Sequence, residues 1–468
     1  MKLPIKFGTD GWRAVISDEF TFENVRIVAR AVSSYLTNHK LTGRPLIVGY
    51  DPRFLADKFA EEVIKVAEGY GISCLFPERD APTPVIAFEV KDRKAAGAVQ
   101  LTASHNPSQY CGIKFIPEYA GPASKEITSE LEGYLKSPLS SNCKKGTAER
   151  FDPRERYLKF LEGIVDVELI KSSRLKVAYD PMFGSGRGYL DLMLERLRLK
   201  PEVIHGDRDP LFGGLTPEPV EEHLQDLKRL VIDKKAGIGL ANDGDADRFG
   251  VVGEDGRFYS ANEVISMLAL YLIEDKGYTG SIVRSVATTH MLDRIAELHK
   301  VKLYETPVGF KYIAEKMMKE PVIIGGEESG GLSIRGHIPE KDGILANLLI
   351  IEMLAKKKKP LSQIFEGLEK KIGKHYSRRI NMKVSEEKKT ALIKFLKEKP
   401  PKEFAGKKVS EVRTIDGIKM IFKDGSWTLL RPSGTEPLLR VYMESMSPLL
   451  EDKRISAIIT GLTTGQRS

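Results

Sequence analysis

The feature that most constrains the fold is a repeated string in which an apolar β-strand pattern leads into Tyr-Asp-Pro. LIVGYDP occupies residues 46–52, and LKVAYDP occupies residues 175–181. Apolar side chains at helical spacing follow the first copy over residues 57–69, and a glycine-rich turn with a further helical pattern follows the second. Short apolar strands that alternate with longer amphipathic helices predict α/β layers with mostly parallel sheets. The repeat itself predicts a duplicated strand–turn–helix unit.

Changes in composition divide the chain into four units. Its 468 residues suffice for several domains of roughly 100–200 residues each. The apolar patterns are interrupted by a Ser-, Lys- and Pro-rich stretch at residues 137–145, a turn at 253–256 and a lysine-rich stretch at 371–374. We therefore predict three α/β domains and a smaller C-terminal α+β domain, in that order, at residues 1–145, 146–254, 255–372 and 373–468.

The sequence pattern of the chain changes after the stretch at residues 371–374. Four strand-like segments after it predict an antiparallel sheet: residues 379–384, 417–422, 426–430 and 439–445.

Composition excludes several classes of protein. The chain is 41% hydrophobic and 29% charged, which is typical of a folded globular protein. Its apolar stretches fall short of the ~20 residues that cross a bilayer, and the first ten residues lack a signal-peptide core, so we expect a cytoplasmic protein.

The three cysteines lie far apart in the sequence, which argues against a zinc site and against a disulfide framework. The net charge of +8 fits an anionic small substrate, and 8% aromatic residues without a basic–aromatic string argue against nucleic acid.

Three aspartates alternate in the string DGDADR at residues 243–248, directly after an apolar strand pattern. Asp243, Asp245 and Asp247 can converge on one cation, and oxygen-only ligands favour a hard ion such as Mg²⁺. An EF-hand calcium loop is the competing interpretation, but that loop needs glycine at its sixth position, where this chain has Arg248. We therefore predict a metal site at a strand end, with an ordinary polar turn as the alternative.

A second string, TASHNP at residues 102–107, places the Ser104 hydroxyl beside the imidazole of His105 after another apolar strand pattern. A hydroxyl becomes a useful nucleophile when a base or a cation lies close to it. Lys114 follows in GIK and can bring an ammonium group to the same loop. The alternatives are an ordinary Ser/Asn/Pro turn and a surface lysine.

Two further loops carry groups that suit a phosphorylated sugar. GGEESGG at residues 325–331 combines backbone freedom with a carboxylate and a hydroxyl that can bind vicinal sugar hydroxyls. RPSGTEP at residues 431–437 offers an arginine, two hydroxyls and a glycine turn, which together can hold a dianionic phosphate. No Walker A loop is present in the sequence.

Taken together, the four strings resemble those of the α-D-phosphohexomutase superfamily, in the same order and with matching gaps. The similarity begins at FGTDGWR, residues 7–13, and extends to Arg440, so it covers nearly the whole chain. It implies three related α/β domains with mixed sheets and a smaller C-terminal α+β domain around a central cleft. It also implies an intramolecular phosphotransferase, an isomerase of the phosphoglucomutase/phosphomannomutase type.

The resemblance assigns a role to each matching position. Ser104 is implied to carry a phosphoryl group in the resting enzyme and to bind Mg²⁺ together with the three aspartates. The positions implied to surround the transferring phosphoryl group are Arg13, His105, Lys114 and Arg248. The positions implied to bind the substrate are Thr306, Gly309, Glu327, Ser329, Arg431, Ser433, Gly434 and Thr435.

The implied reaction interconverts hexose 1-phosphate and hexose 6-phosphate, with hexose 1,6-bisphosphate as intermediate and activator. His105 and Lys114 are both candidates for the general base. Trp12-Arg13 and Gly330-Gly331 favour glucose, then mannose, as the sugar. A phosphoglucosamine mutase is the alternative, and a non-enzymatic basic binding protein is a distant one. We expect a small phosphosugar as partner, no nucleic acid, no membrane, and a monomer or homodimer.

Overall fold

The computed structural model describes residues 5–8, 10–136, 146–432 and 438–448, and its four main sheets follow one another along the chain. Three sheets are mixed and are covered by helices, and the fourth is antiparallel, as predicted. The predicted seam at residues 137–145 lies outside the described residues. Among the described residues, every helix is too short or too polar to cross a membrane.

The first unit consists of β1 (Trp12–Val15), α1 (Phe22–Asn38), β2 (Leu46–Tyr50), α2 (Ala56–Gly69), β3 (Cys74–Pro77), α3 (Thr83–Asp92), β4 (Gly97–Leu101), β5 (Tyr110–Pro117), α4 (Lys125–Tyr134) and β6 (Ala148–Phe151). The sheet order is β1-β5-β4-β2-β3-β6. Strand β2 pairs in parallel with β3 and β4, whereas β5 pairs antiparallel with β4 and β1. Strand β6, which the predicted boundaries place in the second domain, pairs in parallel with β3 of this sheet.

The second unit consists of α5 (Arg154–Glu162), α6 (Val167–Ser173), β7 (Val177–Asp180), α7 (Leu190–Arg196), β8 (Glu202–Val203), α8 (Gln225–Lys234), β9 (Ile238–Asn242), β10 (Phe249–Gly253) and β11 (Phe258–Tyr259). The sheet order is β11-β10-β9-β7-β8. Strand β7 pairs in parallel with β8 and β9, and β10 pairs antiparallel with β9.

The third unit consists of α9 (Ala261–Glu274), β12 (Ser281–Ser285), α10 (Met291–His299), β13 (Lys302–Thr306), α11 (Phe310–Lys319), β14 (Val322–Gly326), β15 (Leu332–Ile334), α12 (Gly343–Lys357) and α13 (Leu361–Ile372). The sheet order is β13-β12-β14-β15, in which β12 pairs in parallel with both neighbours and β15 is antiparallel to β14.

The three α/β units share one arrangement of four strands. In each sheet, three neighbouring strands are parallel to one another and the fourth strand is antiparallel to the third. The three strand orders are β3-β2-β4-β5, β8-β7-β9-β10 and β13-β12-β14-β15. In each unit, a functional loop predicted from the sequence connects the last two strands. Because the carboxyl ends of parallel strands form the usual ligand-binding edge of such sheets, this topology places the three loops at equivalent positions.

The fourth unit consists of β16 (Tyr376–Lys383), α14 (Glu386–Glu398), β17 (Glu403–Phe404), β18 (Lys407–Arg413), β19 (Ile418–Phe422), β20 (Trp427–Pro432) and β21 (Leu438–Ser445). The sheet order is β16-β21-β20-β19-β18-β17, and all of its strand pairs are antiparallel. The four strands predicted here are β16, β19, β20 and β21, each within a few residues of its expected bounds.

Helix α12 joins the second and third units into one hydrophobic core. It is buried from Gly343 to Ala355 and packs against β9 and β10 of the second unit and β15 of the third. Asp342 caps its first turn by accepting a hydrogen bond from the amide of Leu345, and it also accepts one from the Tyr157 hydroxyl at 2.6 Å. The loops predicted to bind the metal and the sugar therefore extend from sheets that share a rigid helix.

The fourth unit is attached to the third by a partly buried ionic cluster centred on Glu305. Its carboxylate accepts hydrogen bonds from Arg284 at 2.6 Å, from Lys419 at 3.0 Å and from Arg413 at 3.2 Å. Burial raises the pKa of Glu305, but Arg284 and Lys419 outweigh that effect and lower its pKa to about 2. The carboxylate is therefore ionised at neutral pH and holds Arg284 of the third unit and Arg413 of the fourth, whereas burial, followed by the charge of Arg284, lowers the pKa of Lys419 to about 7.

Acid is expected to weaken this attachment. The pKa of Glu305 lies below its ordinary value of 4.5, so its contribution is complete above about pH 4.5 and is lost as the pH falls towards 2. That contribution is on the order of 3 kcal/mol. Glu305→Gln should therefore lower the thermal stability at pH 7 and flatten its decline between pH 4.5 and 2. Glu411→Gln, which removes a more exposed carboxylate that also binds Arg413, is the control.

Candidate active site

The loop that carries Ser104 connects β4 to β5 and is held by buried hydrogen bonds. Ser104 has a φ of 52°, a left-handed conformation that a non-glycine residue adopts at a cost. Its amide donates to the Thr102 hydroxyl at 2.8 Å, and that hydroxyl donates to Asp51 at 2.6 Å. The surrounding structure therefore fixes the direction of the Ser104 side chain, which is buried.

Arg53 is a second support for this loop, and it was not predicted from the sequence. Its side chain is fully buried, and one terminal nitrogen donates to the carbonyls of Ser104 and Asn106, both at 2.7 Å. The other donates to the carbonyls of Pro107 and Tyr110. An ionised guanidinium that binds four carbonyls of one loop defines its shape. The signal that could have found Arg53 is its place directly after the repeated Tyr-Asp-Pro string.

The acidic string forms the loop between β9 and β10, and the structure brings it against Ser104. The Ser104 hydroxyl donates to Asp243 Oδ2 at 3.0 Å across a sequence separation of 139 residues. Oxygen atoms of Asp243, Asp245 and Asp247 all lie within 4.8 Å of one another, and the three residues are buried. A Cβ on Gly244 would lie 2.7 Å from the carbonyl oxygen of Ser104, so glycine permits this close approach.

The chemistry of these carboxylates fits a divalent cation. Asp245 Oδ1 and Asp247 Oδ1 are buried without a hydrogen-bond donor among the described residues, which is costly unless a cation satisfies them. Burial, together with the charges of Asp245 and Asp247, raises the pKa of Asp243 well above its ordinary value. Carboxylate oxygens and a serine oxygen are ligands of the hard kind that Mg²⁺ prefers. A cation at this position would satisfy the unpaired oxygens and relieve the repulsion.

Two lysines from different units also bind this acidic group. Lys114 is buried on β5, and its ammonium contacts Asp245 at 2.8 Å, Asp247 at 2.9 Å and Asp10 at 3.0 Å. Burial lowers the pKa of Lys114, but these three carboxylates raise it well above its ordinary value, so the group is held protonated. Lys341, from the segment before α12, contacts Asp247 at 3.3 Å and Asp10 at 3.4 Å.

Lys114 was predicted from the sequence, whereas Lys341 and Asp10 were missed as part of this group. Asp10 lies inside the FGTDGWR string, which was a usable signal. Lys341 follows the sugar-binding string by ten residues and belongs to none of the predicted motifs. Only the fold, which places the start of α12 beside the metal-binding loop, reveals its position.

The other residues predicted to surround the transferring phosphoryl group lie around the Ser104 loop. His105 Nδ1 lies 3.3 Å from the Ser104 hydroxyl, and burial, followed by the charge of Arg248, lowers its pKa well below the ordinary value. Arg13 donates to Asn106 at 2.8 Å and contacts Asp10 at 3.5 Å. The amide of Arg248 donates to Asp243, while the buried Nε of its side chain has no hydrogen-bond partner in the described residues. A neutral imidazole and two guanidinium groups therefore face the Ser104 loop.

The sugar-binding string forms the loop between β14 and β15, next to the metal-binding loop. The carbonyl of Gly330 accepts a hydrogen bond from the amide of Phe249, the residue that follows the acidic string. Glu327 is buried and accepts the amide of Gly309 at 2.7 Å. Ser329 lies in the same turn and is half-buried.

The segment at residues 306–309 connects β13 to α11 and contacts two of the predicted loops. Thr306 is buried and its hydroxyl donates to the carbonyl of Pro307 at 3.0 Å. The amide of Gly309 binds Glu327, whereas the amide of Val308 donates to Asp416 of the fourth unit at 3.0 Å. The segment therefore lies between the sugar-binding loop and the fourth unit.

Arg431 is the one predicted substrate-binding residue of the phosphate loop that lies within the described part of the chain, and it is near the end of β20. Its Nε donates to Asp416 at 2.7 Å, so Asp416 connects it to Val308. Ser433, Gly434 and Thr435 lie outside the described residues. Arg431 therefore reaches the other loops through Asp416 rather than through the acidic group.

Comparisons with known proteins agree with this fold. Four phosphoglucomutase/phosphomannomutase family models match in order: α/β/α domain I at residues 4–141, domain II at 155–256, domain III at 260–372 and the C-terminal domain at 380–457. The chain therefore belongs to the phosphoglucomutase/phosphomannomutase family of the α-D-phosphohexomutase superfamily. It is a phosphohexomutase, an isomerase that transfers a phosphoryl group, and this membership excludes a non-enzymatic basic binding protein.

Individual relatives span nearly the whole chain but differ in the sugar that their names give. A phosphoglucomutase/phosphomannomutase of Thermococcus kodakarensis is 31% identical over 444 residues, which cover 94% of each chain. A phosphoglucosamine/phosphogalactosamine mutase of Sulfurisphaera tokodaii is 28% identical over 450 residues, covering 94% of this chain and 95% of the relative. A solved structure from Thermus thermophilus, which carries a phosphomannomutase name, has a TM-score of 0.87 at 34% identity and covers 98% of this chain and 99% of its own.

Proposed function

We propose that this phosphohexomutase interconverts glucose 1-phosphate and glucose 6-phosphate, accepts mannose phosphates as well, and works through a phosphoserine at Ser104. The observation that carries the proposal is the 3.0 Å contact between the Ser104 hydroxyl and Asp243 inside a buried acidic group. A buried hydroxyl beside three carboxylates and two lysines suits reversible phosphorylation. Phosphoryl transfer depends mostly on positioning and charge neutralisation, and both are provided here.

In the proposed reaction, the phosphoryl group passes from Ser104 to the free hydroxyl of the hexose monophosphate. The bond between phosphorus and the serine oxygen breaks, a bond to the sugar oxygen forms, and the sugar hydroxyl loses its proton. Of the two candidates for the base that accepts this proton, the neutral imidazole of His105 can accept it, whereas Lys114 is held protonated by Asp10, Asp245 and Asp247. The resulting hexose 1,6-bisphosphate turns over in the cleft and returns its other phosphoryl group to Ser104.

Asp243, Asp245, Asp247 and Ser104 are the residues that would hold Mg²⁺. When bound, the ion supplies positive charge at the transferring phosphoryl group. Arg13 and Arg248 add positive charge from the protein at the same place. Arg431 is proposed to bind whichever phosphate is not reacting, and Glu327 and Ser329 to bind sugar hydroxyls.

The identity of the preferred sugar is the part of the proposal for which there is a second candidate. Gly330-Gly331 and Trp12-Arg13 favour glucose and mannose phosphates. The Sulfurisphaera tokodaii relative is named for glucosamine and galactosamine phosphates, which favours phosphoglucosamine mutase as the second candidate. Glu327 and Ser329 suit hydroxyl groups that these hexoses share, so they do not select the substituent at the second carbon.

A coupled assay that compares glucose 1-phosphate, mannose 1-phosphate and glucosamine 1-phosphate on equal amounts of enzyme tests the proposal. We expect the largest kcat/KM for glucose 1-phosphate, with Ser104→Ala as the inactive control. The glucose assignment is rejected if glucosamine 1-phosphate gives the largest value. The mutase mechanism is rejected if none of the three is converted in the presence of Mg²⁺ and hexose 1,6-bisphosphate.

Glu327 gives this site an expected pH dependence. Burial, followed by the charge of Glu328, raises the pKa of Glu327 to about 7. The ionised carboxylate is the stronger acceptor for sugar hydroxyls, so KM should fall as the pH rises from 6 to 8, by several-fold. Glu327→Gln should abolish this fall in KM. The pH dependence of KM that comes from ionisation of the substrate phosphate should remain. Parallel profiles for the two proteins would show that Glu327 does not titrate in this range.

A further inference from the structure

Asp416 occupies a position that no motif predicted, at the junction of the third and fourth units. We propose that it is a positioning residue that couples Arg431 to the sugar-binding loop, an inference that rests on the proposed function. A single oxygen, Oδ2, accepts hydrogen bonds from Arg431 Nε at 2.7 Å and from the Val308 amide at 3.0 Å. The two donors belong to different units, so this oxygen joins the phosphate-binding side of the cleft to the sugar-binding side.

The position of Asp416 is fixed by the backbone that follows it. Gly417 has a φ of 92°, and a Cβ at this residue would lie 2.4 Å from the carbonyl oxygen of Leu430. Strand β19 begins at the next residue, where Ile418 pairs with Leu430. The turn at Asp416 therefore lies against the residue that precedes Arg431, and only glycine fits there without a shift of the backbone. This contact holds the Asp416 carboxylate beside the Arg431 side chain.

Two consecutive amides connect Asp416 to the sugar-binding loop. The Val308 amide donates to Asp416, and the next amide, that of Gly309, donates to Glu327 at 2.7 Å. The side chain of Val308 packs on an apolar cluster that both units build, which consists of Val286, Ala287, Trp427, Leu429 and Tyr442. One short segment thus links the carboxylate that is proposed to bind the sugar with the carboxylate that orients Arg431.

This linkage has a consequence for the bisphosphorylated intermediate. During one turnover Arg431 must release one phosphate and bind the other, while the sugar stays in the cleft. An Arg431 side chain held at Nε by Asp416 keeps its position when no phosphate is bound, which lowers the entropy cost of binding the next one. Without Asp416, the intermediate should leave more often before it turns over. The enzyme should then depend more strongly on added hexose 1,6-bisphosphate.

The test compares Asp416→Asn with Asp424→Asn. Asparagine keeps the shape of Asp416 but removes the charge that strengthens its hydrogen bond to arginine. We expect KM for the hexose monophosphate to rise about tenfold, kcat at saturating bisphosphate to change by less than about threefold, and more bisphosphate to be required for half-maximal rate. Asp424 lies in the Asp-Gly turn at the opposite end of β19 and binds Lys407 at 2.6 Å. Its replacement should leave all three parameters unchanged.

A double-mutant cycle with Arg431→Ala distinguishes positioning from a general loss of structure. If Asp416 acts through Arg431, then Asp416→Asn should raise KM by less than about twofold further in the Arg431→Ala background. The proposal is overturned if the two effects multiply independently, or if Asp416→Asn has the KM and bisphosphate requirement of the wild type. A wild-type protein that converts no hexose phosphate would reject the proposed function, and the coupling with it.

Discussion

Ser104→Ala is expected to reduce mutase turnover on the order of 10⁴-fold or more, because it removes the oxygen that is proposed to carry the phosphoryl group. The substitution deletes one hydroxyl, whose hydrogen bonds are to Asp243 and His105. The loop itself is held by Arg53, Thr102 and backbone groups, so we expect little change in thermal stability. Activity should be measured by the coupled assay, and phosphorylation by intact mass after incubation with hexose 1,6-bisphosphate.

The mass measurement makes this prediction specific. A fraction of the wild-type protein should carry one added phosphoryl group, and that fraction should be absent from Ser104→Ala. Ser108→Ala, four residues further along the same loop, is the matched control and should keep both the label and the activity. Retention of the label in Ser104→Ala would place the phosphoryl group on another residue and reject the assignment.

Asp243→Asn is expected to weaken Mg²⁺ binding by about 100-fold or more and to lower turnover in proportion. Asp243 is the aspartate that contacts Ser104, and its neighbours Asp245 and Asp247 repel its charge. Without Mg²⁺, removal of that charge should therefore leave the melting temperature unchanged or slightly raised. With Mg²⁺, the wild type should gain stability and the variant should gain little.

Calorimetric titration with Mg²⁺ and melting curves with and without the ion check both parts. Asp255→Asn removes an exposed carboxylate in the turn at the other end of β10 and should behave as the wild type. Equal Mg²⁺ affinities for Asp243→Asn and the wild type would contradict the metal assignment. A large loss of stability in the absence of Mg²⁺ would instead show that Asp243 acts mainly as a structural hydrogen-bond acceptor.

Strand-end motifs made most of the architecture predictable. The strings around Ser104, Asp243 and Glu327 each follow a short apolar strand, and the structure places each in the connection between two adjacent antiparallel strands. Four strands of the C-terminal antiparallel sheet were predictable from their apolar patterns, although α14 interrupts the run of strands after β16. The Tyr-Asp-Pro repeat revealed two related units but not the third, because β12 lacks that string and shares only its position in the sheet.

The residues that the sequence did not reveal owe their importance to contacts with segments that lie far away in the chain. Arg53 supports the Ser104 loop from the segment that precedes α2, and Lys341 approaches Asp247 from the third unit. Asp416 binds Arg431 of its own unit and also the Val308 amide, from which it is separated by 108 residues. Lys341 and Asp416 lie outside any recognisable pattern, whereas Arg53 directly follows the repeated Tyr-Asp-Pro string. The partners of all three are defined by the way in which distant segments pack on one another, and single-sequence patterns contain no information on that packing.

The shared hairpin position of three functional loops has a consequence for how such an enzyme can change. Each loop begins and ends on neighbouring strands whose pairing is fixed by the sheet, so a substitution in one loop leaves the ends of the other two in place. The loop between β14 and β15, which is proposed to bind the sugar, could therefore be exchanged for that of a relative with another sugar preference, while the proposed nucleophile and metal ligands keep their geometry. The preference for a sugar can then change without a change in the phosphoryl-transfer reaction, either during evolutionary divergence or by design.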